Sequence, residues 1–355
     1  MTDVNIIKNI IDISVYAPSG DNAQPWRFEI REGVVFVYNI PERDNSIYNF
    51  NMSASYISLG ALIENIKVAS THYGYKCEVD LDENETSNLV AKCYLSQSGD
   101  VQEDYLFKFI KKRATNRKPY RATTLSSPFL LEIKNYRKFF PDNFRVNFVL
   151  TDNKDLVKTI AEASSANEQI VLENKDLHDF LFSHITWTEK EDEEKKGFFL
   201  KTLEMKGPQQ LVFKILKSWK ILRFLNKLGI SKIVAKENSK IYSKSKAMLA
   251  ITIDSLDKIS FLETGMLMQR LWLLATKNNI YAQPLTGIVF LRNRLEIEGE
   301  SKTFNPNHEK IIKNSYNVLE KSFDVKNKRI SMILRLGYAD KPTAFTKRLK
   351  PNIGF

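Results

Sequence analysis

Two spacings of apolar residues divide this chain into helices and strands. In "NIIKNIIDISVY" the residues Ile6, Ile7, Ile10, Ile11 and Val15 keep helical spacing and stop at a loop around Pro18. "WRFEIREGVVFVYN" alternates on both sides of Glu32-Gly33, which predicts a hairpin. "MSASYISLGALIENIKVASTHYGY" predicts a long helix with Ile57, Leu62, Ile66 and Ala69 on one face and Gly74 as its C-terminal stop. "YKCEVDL" and "NLVAKCYL" read as strands. A second series starts near Gln102: helix "DYLFKFIKKR", strand "FRVNFVL", helix "KDLVKTIAEASSANEQIVLEN", strand "AMLAITI", helix "SFLETGMLMQRLWLLATKNN" and closing strand "KRISMILRLGYA".

The two series invite a search for a repeat. Sliding "LGALIENIKVASTHYGY" onto "TGMLMQRLWLLATKNNI" aligns Gly60 with Gly265, Leu62 with Leu267 and Glu64 with Gln269 without a gap. Any two buried helices share some of this likeness, so the match alone leaves both a duplication and a coincidence open. Residues from about 174 to 246 have no counterpart in the first series. They open with the charge run "TEKEDEEKKG" and continue with an apolar set, Leu211, Val212, Phe213, Ile215, Leu216, Trp219, Leu222 and Leu225. An insertion this long and this apolar predicts a helical lid that covers something. A Lys-rich stretch with an apolar face, 206–236, also fits a weak peripheral contact with an anionic membrane.

Composition narrows the classes. At 355 residues, with 43% hydrophobic and 27% charged residues, the chain has the balance of a globular protein of two or three compact units. Its net charge of +11 suits an anionic partner such as nucleic acid, a lipid surface or a phosphorylated cofactor. The positive charge is spread along the chain with no nucleic-acid motif, so nucleic acid is not expected. Two cysteines, Cys77 and Cys93, in strand-like segments fit a reducing compartment without a disulfide framework. No signal-peptide pattern and no apolar run of membrane-spanning length is visible, and a cytoplasmic protein is expected. His72, His178, His184 and His308 lack metal-ligand spacing, so no metal site is expected.

Two short stretches carry chemistry. "APSGDNAQPW" (17–26) holds more polar donors and acceptors than a turn requires, beside a large aromatic, which suits a surface for something planar. In "KKRATNRKPY" (111–120), Arg113, Thr115 and Arg117 alternate, so extended backbone aims all three to one side. Two guanidiniums and a hydroxyl suit a phosphate dianion. A solvated basic turn at a helix end would carry the same residues.

Together these stretches resemble the nitroreductase-type FMN-binding flavoproteins, as do "TGMLMQRLWLLATKNNIYAQPLTG" and the closing "RISMILRLGYADKPTAFTKRLKP". The order of the pieces is similar to the Acg-type branch, in which two nitroreductase-like halves are fused in one chain and a lid covers the flavin pocket. The resemblance covers roughly two-thirds of the chain and implies an α+β fold: an intramolecular pseudo-dimer with halves at 1–100 and 101–355, the second carrying the lid at about 174–246. It implies that Arg113, Thr115 and Arg117 cradle the FMN phosphate with Lys347 and Arg348 from the tail. It further implies that Pro18, Ser19, Asn22 and Gln24 reach the ring and ribityl edge, that Trp26 is core packing, and that Thr286 and Gly287 lie near flavin N5. Where many members carry an acidic residue before that glycine, this chain has Thr286. "AEASSANEQ" (161–169) reads as a remnant of a second loop, so one FMN per chain is expected. The implied activity is an FMN-dependent oxidoreductase acting on a quinone, nitro or other conjugated acceptor, with NAD(P)H as reductant and no catalytic side chain. The alternative is a protein that sequesters FMN beneath its lid with little turnover. The chain is expected as a monomer or a homo-oligomer.

Overall fold

A computed structural model of the chain describes residues 3–194, 197–299 and 303–355. Asp3 caps α1 (Val4–Ser14) by accepting from the Asn5 amide, and the helix buries Ile7, Ile10 and Ile11, as their spacing predicts. β1 (Trp26–Arg31) and β2 (Val34–Asn39) form the hairpin, with Glu32 and Gly33 at φ 50° and 82°, the conformation that a two-residue turn requires. α2 (Ser53–His72) leads into β3 (Tyr75–Leu81) and β4 (Leu89–Gln97). The helix expected over "DYLFKFIKKR" shortens to a 3-10 turn, Phe107–Lys112, because Arg113 already turns extended at ψ 128°.

α3 (Ser127–Lys134), β5 (Asn147–Thr151) and α4 (Lys154–Glu173) precede the insertion. The insertion contains α5 (Lys175–Ser183), β6 (Ile185–Thr186), α6 (Glu189–Glu194), β7 (Phe198–Phe199), α7 (Gly207–Leu216), α8 (Trp219–Asn226) and α9 (Ile230–Tyr242). The chain returns through β8 (Ala247–Ile253), α10 (Lys258–Lys277), β9 (Tyr281–Pro284), α11 (Gly287–Glu298), α12 (Pro306–Ser322) and β10 (Arg329–Gly337) to a short strand, β11 (Ile353–Gly354).

The fold is α+β, with a five-stranded sheet in the order β11-β1-β2-β4-β3 and a four-stranded sheet in the order β5-β8-β10-β9. The periodicity stops at β10 and misses β11, since two residues carry no period. That strand crosses to the first sheet and pairs parallel with β1, Phe28 opposite Ile353. The tail therefore ties the two sheets together.

Between the sheets, α2 crosses α10 with almost no space. A β-carbon on Gly60 would lie 1.9 Å from the Leu262 carbonyl oxygen, and one on Gly265 would lie 1.9 Å from that of Ile57. Only glycine permits this approach. The polar pairs at the crossing are reciprocal too: Arg270 Nε donates to Glu64, and Gln269 Nε2 donates to Asn65 Oδ1 at 2.6 Å. Arg270 also reaches Asp104 Oδ2 at 2.6 Å, so the buried charge is fully paired. The single apolar face expected of α2 is a correction: every residue except Lys67, Thr71 and His72 is buried, because sheet and helix flank it on all sides.

The insertion gathers its core of Phe182, Ile185, Phe198, Phe199, Leu200, Leu216 and Leu222 around Leu172 of α4, with Phe213, Trp219 and Leu225 packed against it. The apolar set that the sequence shows from Leu211 to Leu225 divides between this core and the surface. Leu211, Val212 and Ile215 point outward, exposed by 63%, 48% and 44%.

Candidate functional site

Three segments distant in sequence meet at one cleft of ≈ 180 Å³: the loop after α1, the extended run from Arg113 to Arg117, and the C-terminal tail. The loop is held in uncommon backbone geometry, with Asp21, Asn22 and Gln24 at φ 45°, 58° and 51°. Three non-glycine residues in the left-handed region within four positions mark local strain, and such strain concentrates at functional sites. Pro18, Ser19 and Asn22 line the cleft beside Arg113, Thr115, Arg117 and Arg348. A larger, open depression at the end of α12, ≈ 350 Å³, is bounded by Glu320, Lys321, Asp324 and Lys326 and gathers none of these groups.

Four cations, Lys111, Arg113, Arg117 and Arg348, line the cleft with one carboxylate, Asp21. Among the described residues, none of Arg113, Arg117 and Arg348 forms an ion pair with a carboxylate. Arg113 is buried, stacks 4.5 Å from the Trp272 ring centroid and donates Nη2 to the Tyr16 carbonyl at 3.2 Å, while its Nε has no hydrogen-bond partner. Arg348 donates Nε to the Val15 carbonyl (3.1 Å) and Nη1 to Asn22 Oδ1 (2.9 Å) and Thr346 Oγ1 (2.7 Å). The carbonyls at the end of α1 thus hold both guanidiniums with partial charge only. Burial, reinforced by the nearby Arg348 charge, pushes the Arg113 pKa down to about 9, and burial lowers Arg348 to about 10. An anion between them would reverse both directions. Across the cleft, burial and then the Asp44 charge push Asp21 up to about 6, against the opposing pull of His184 and Arg117.

The insertion closes one side. Phe198 and Thr202 line the cleft, and Arg117 donates Nη1 to the Thr202 carbonyl at 3.1 Å with its guanidinium 5.8 Å from the Phe198 ring centroid. Glu204 accepts from the Thr343 amide at 2.6 Å and lies 3.7 Å from Lys118 Nζ, and Lys347 Nζ meets Glu193 at 3.0 Å. These contacts tie the insertion to the tail. The sequence indicated a cover but not Phe198 or Thr202. Thr346 lay within reach, two positions before Arg348.

Four expected site residues lie elsewhere. Gln24 is 1% exposed, with Nε2 donating to the Asn22 carbonyl (3.1 Å) and Oε1 accepting from the Leu349 amide (2.9 Å), so it knots the loop to the tail instead of facing the cleft. Lys347 turns outward to Glu193, and only its carbonyl serves the loop, accepting from Asn22 Nδ2 at 3.0 Å. Thr286 and Gly287 open α11 away from the cleft lining, with Gly287 against Asn167: a β-carbon there would lie 2.2 Å from the Asn167 side chain. Residues 161–169 form no loop remnant. They sit inside α4, where Asn167 Oδ1 accepts from Tyr48 (2.9 Å) and Glu168 from Tyr242 (2.6 Å), and burial pushes Glu168 up to about 7. No three His, Cys, Asp or Glu side chains gather as metal ligands among the described residues. No described helix is long and apolar enough to cross a membrane.

No protein-family model matches the chain. An uncharacterized protein of Mycobacterium tuberculosis (strain CDC 1551 / Oshkosh), MT1398, is 22% identical over 297 residues, which are 83% of this chain and 41% of that protein. The chain therefore spans about two fifths of the length of this curated relative. Among solved structures, it is similar to a BluB-like flavoprotein of Clostridium difficile 630 (TM-score 0.39, 12% identity, 69% of this chain and 95% of that one). It is also similar to a nitroreductase with bound FMN from Desulfitobacterium hafniense DCB-2 (TM-score 0.38, 12% identity, 70% and 95%). A third is an FMN-dependent nitroreductase of Mycobacterium smegmatis in complex with NADPH (TM-score 0.36, 14% identity, 66% and 86%).

Proposed function

We propose that this chain binds FMN in the arginine-lined cleft and acts as an FMN-dependent oxidoreductase toward a quinone, nitro or other conjugated acceptor, with NAD(P)H as the candidate reductant. The observation that carries this reading is the excess of cations in the cleft: among the described residues, Arg113, Arg117 and Arg348 form no ion pair with a carboxylate, and Arg113 Nε is buried without an acceptor. A phosphate dianion is the group that such a cradle accommodates, and the Ser19 and Thr115 hydroxyls add neutral donors. Arg113 and Arg348 would grip the phosphate. Asn22, bonded to Arg348, would hold that guanidinium in place. When bound, the flavin supplies hydride acceptance and delivery, so the protein's work is binding, orientation and exclusion of water. The reciprocal crossing at Gly60 and Gly265 supports descent from a duplicated half, with one cradle retained per chain.

The second reading, an FMN-sequestering protein with little turnover, draws on the closed insertion. A cleft of ≈ 180 Å³ is smaller than the roughly 300 Å³ at which ligand pockets begin, and Phe198 and Thr202 of the insertion line it. A planar ring system needs that cover to shift. The test is flavin released on denaturation, expected at one FMN per chain, followed by anaerobic reduction with NAD(P)H. Glu204→Ala, which frees the insertion from Thr343 and Lys118, should accelerate bleaching if the chain is a gated reductase. Bleaching of neither protein supports the sequestering reading. Absence of flavin from protein refolded with FMN would refute both.

A further inference from the structure

We propose that the outer face of the insertion docks onto an anionic lipid bilayer surface. The sequence left lid and membrane contact as rivals for the same residues, but the structure divides them. Phe213, Leu216, Trp219, Leu222 and Leu225 pack inward, while a second apolar set faces out. Phe224, Leu228 and Ile233 are exposed by 63%, 72% and 54%, and Leu211, Val212 and Ile215 of α7 are exposed as well. Seven of the sixteen exposed large hydrophobic residues among the described residues fall within 206–236.

The charges in this stretch are as selective. It holds eight basic residues and no acidic one, all eight are exposed, and none makes an ion pair among the described residues. The order is regular: Lys214-Ile215, Lys220-Ile221, Arg223-Phe224, Lys227-Leu228 and Lys232-Ile233 each set a cation beside an exposed apolar side chain. On α8 the cations and the apolar residues form two adjacent stripes at helical spacing. Apolar side chains can enter the acyl boundary while lysines reach the headgroups beside them, the arrangement of an interfacial helix. A protein partner fits less well, because interface cores are depleted of lysine and seven of these eight cations are lysines.

The test is co-sedimentation of the intact chain with vesicles of phosphatidylglycerol and phosphatidylcholine, against phosphatidylcholine alone. Binding is expected only to the anionic vesicles, and it should weaken between ~0.1 M and ~1 M salt as the screening length contracts from about 10 to 3 Å. Leu211→Ser/Phe224→Ser/Leu228→Ser alters only exposed positions and should abolish binding while leaving the melting temperature unchanged. Each of Lys220→Gln and Lys227→Gln should lower partitioning about fivefold. Equal binding to neutral vesicles, or none to anionic ones, overturns the proposal. So does a concentration-dependent dimer that the triple serine variant makes monomeric, because a second copy would then cover this face. None of these readouts depends on bound flavin.

Discussion

Two stretches of similar composition, "APSGDNAQ" (17–24) and "EASSANEQ" (162–169), meet opposite fates. The first contains Pro18 and Gly20, breaks out of helix and holds Asp21, Asn22 and Gln24 at positive φ. The second keeps the serines, asparagine and glutamine but has neither proline nor glycine, and it continues α4 without interruption. The consequence is chemical. The irregular loop and the carbonyls at the end of α1 hold two guanidiniums, Arg113 and Arg348, that form no ion pair among the described residues. The helical stretch pairs two of its polar side chains with tyrosines, Asn167 with Tyr48 and Glu168 with Tyr242. One region gathers cations that suit an anion; the other spends Asn167 and Glu168 on tyrosine partners within the fold.

The largest expected effect tests whether helix is what closes the second region. Ser165→Pro removes an interior amide and clashes with the preceding turn, and should cost ~3 kcal/mol or more in urea unfolding. In whatever fraction stays folded, FMN affinity should be retained. An equal loss of FMN would show that the two regions are not independent.

The next effect sharpens the chemical contrast. Arg113→Ala removes a charge-assisted hydrogen bond of roughly 1.5–3 kcal/mol, so FMN affinity should fall about ten- to a hundredfold, while riboflavin, which lacks the phosphate, should bind as before. Fluorescence titration of both flavins decides it. Parallel losses would mean that Arg113 acts through folding.

The smallest effect is a pH dependence. Burial raises the folded-state pKa of Asp21 to about 6, above the ordinary aspartate range near 3.8, so the folded chain binds its proton more tightly than the unfolded one. Stability then declines as pH rises from about 4 through 6 and stays lower above that range. Asp21→Asn removes this loss, and asparagine tolerates the positive φ. The variant should melt higher than the parent above pH 6, with the gain vanishing below about pH 4. A gain that is constant across pH would point to backbone strain instead.

The sequence by itself determined most of the elements and the ingredients of the cradle. Apolar spacing marked α1, α2, α4 and α10, the Glu32-Gly33 turn marked the hairpin, and Pro18 and Gly20 marked the loop. Such features depend on neighbours a few residues away, which the sequence displays directly. Tertiary structure alone decided which of those ingredients meet. Arg348 reaches Arg113 because β11 crosses to pair with β1, and no local pattern encodes a two-residue strand. Gln24 turned inward because the Leu349 amide was there to bond it, and Lys347 turned outward to Glu193. The insertion shows the limit most plainly: its apolar residues were legible, but helical spacing cannot say which face is buried when both faces carry them. Leu216 and Leu222 went inward because Leu172, Phe182 and Phe198 were available to pack against. Phe224 and Leu228 stayed outside, among lysines, because the folded chain places nothing over them.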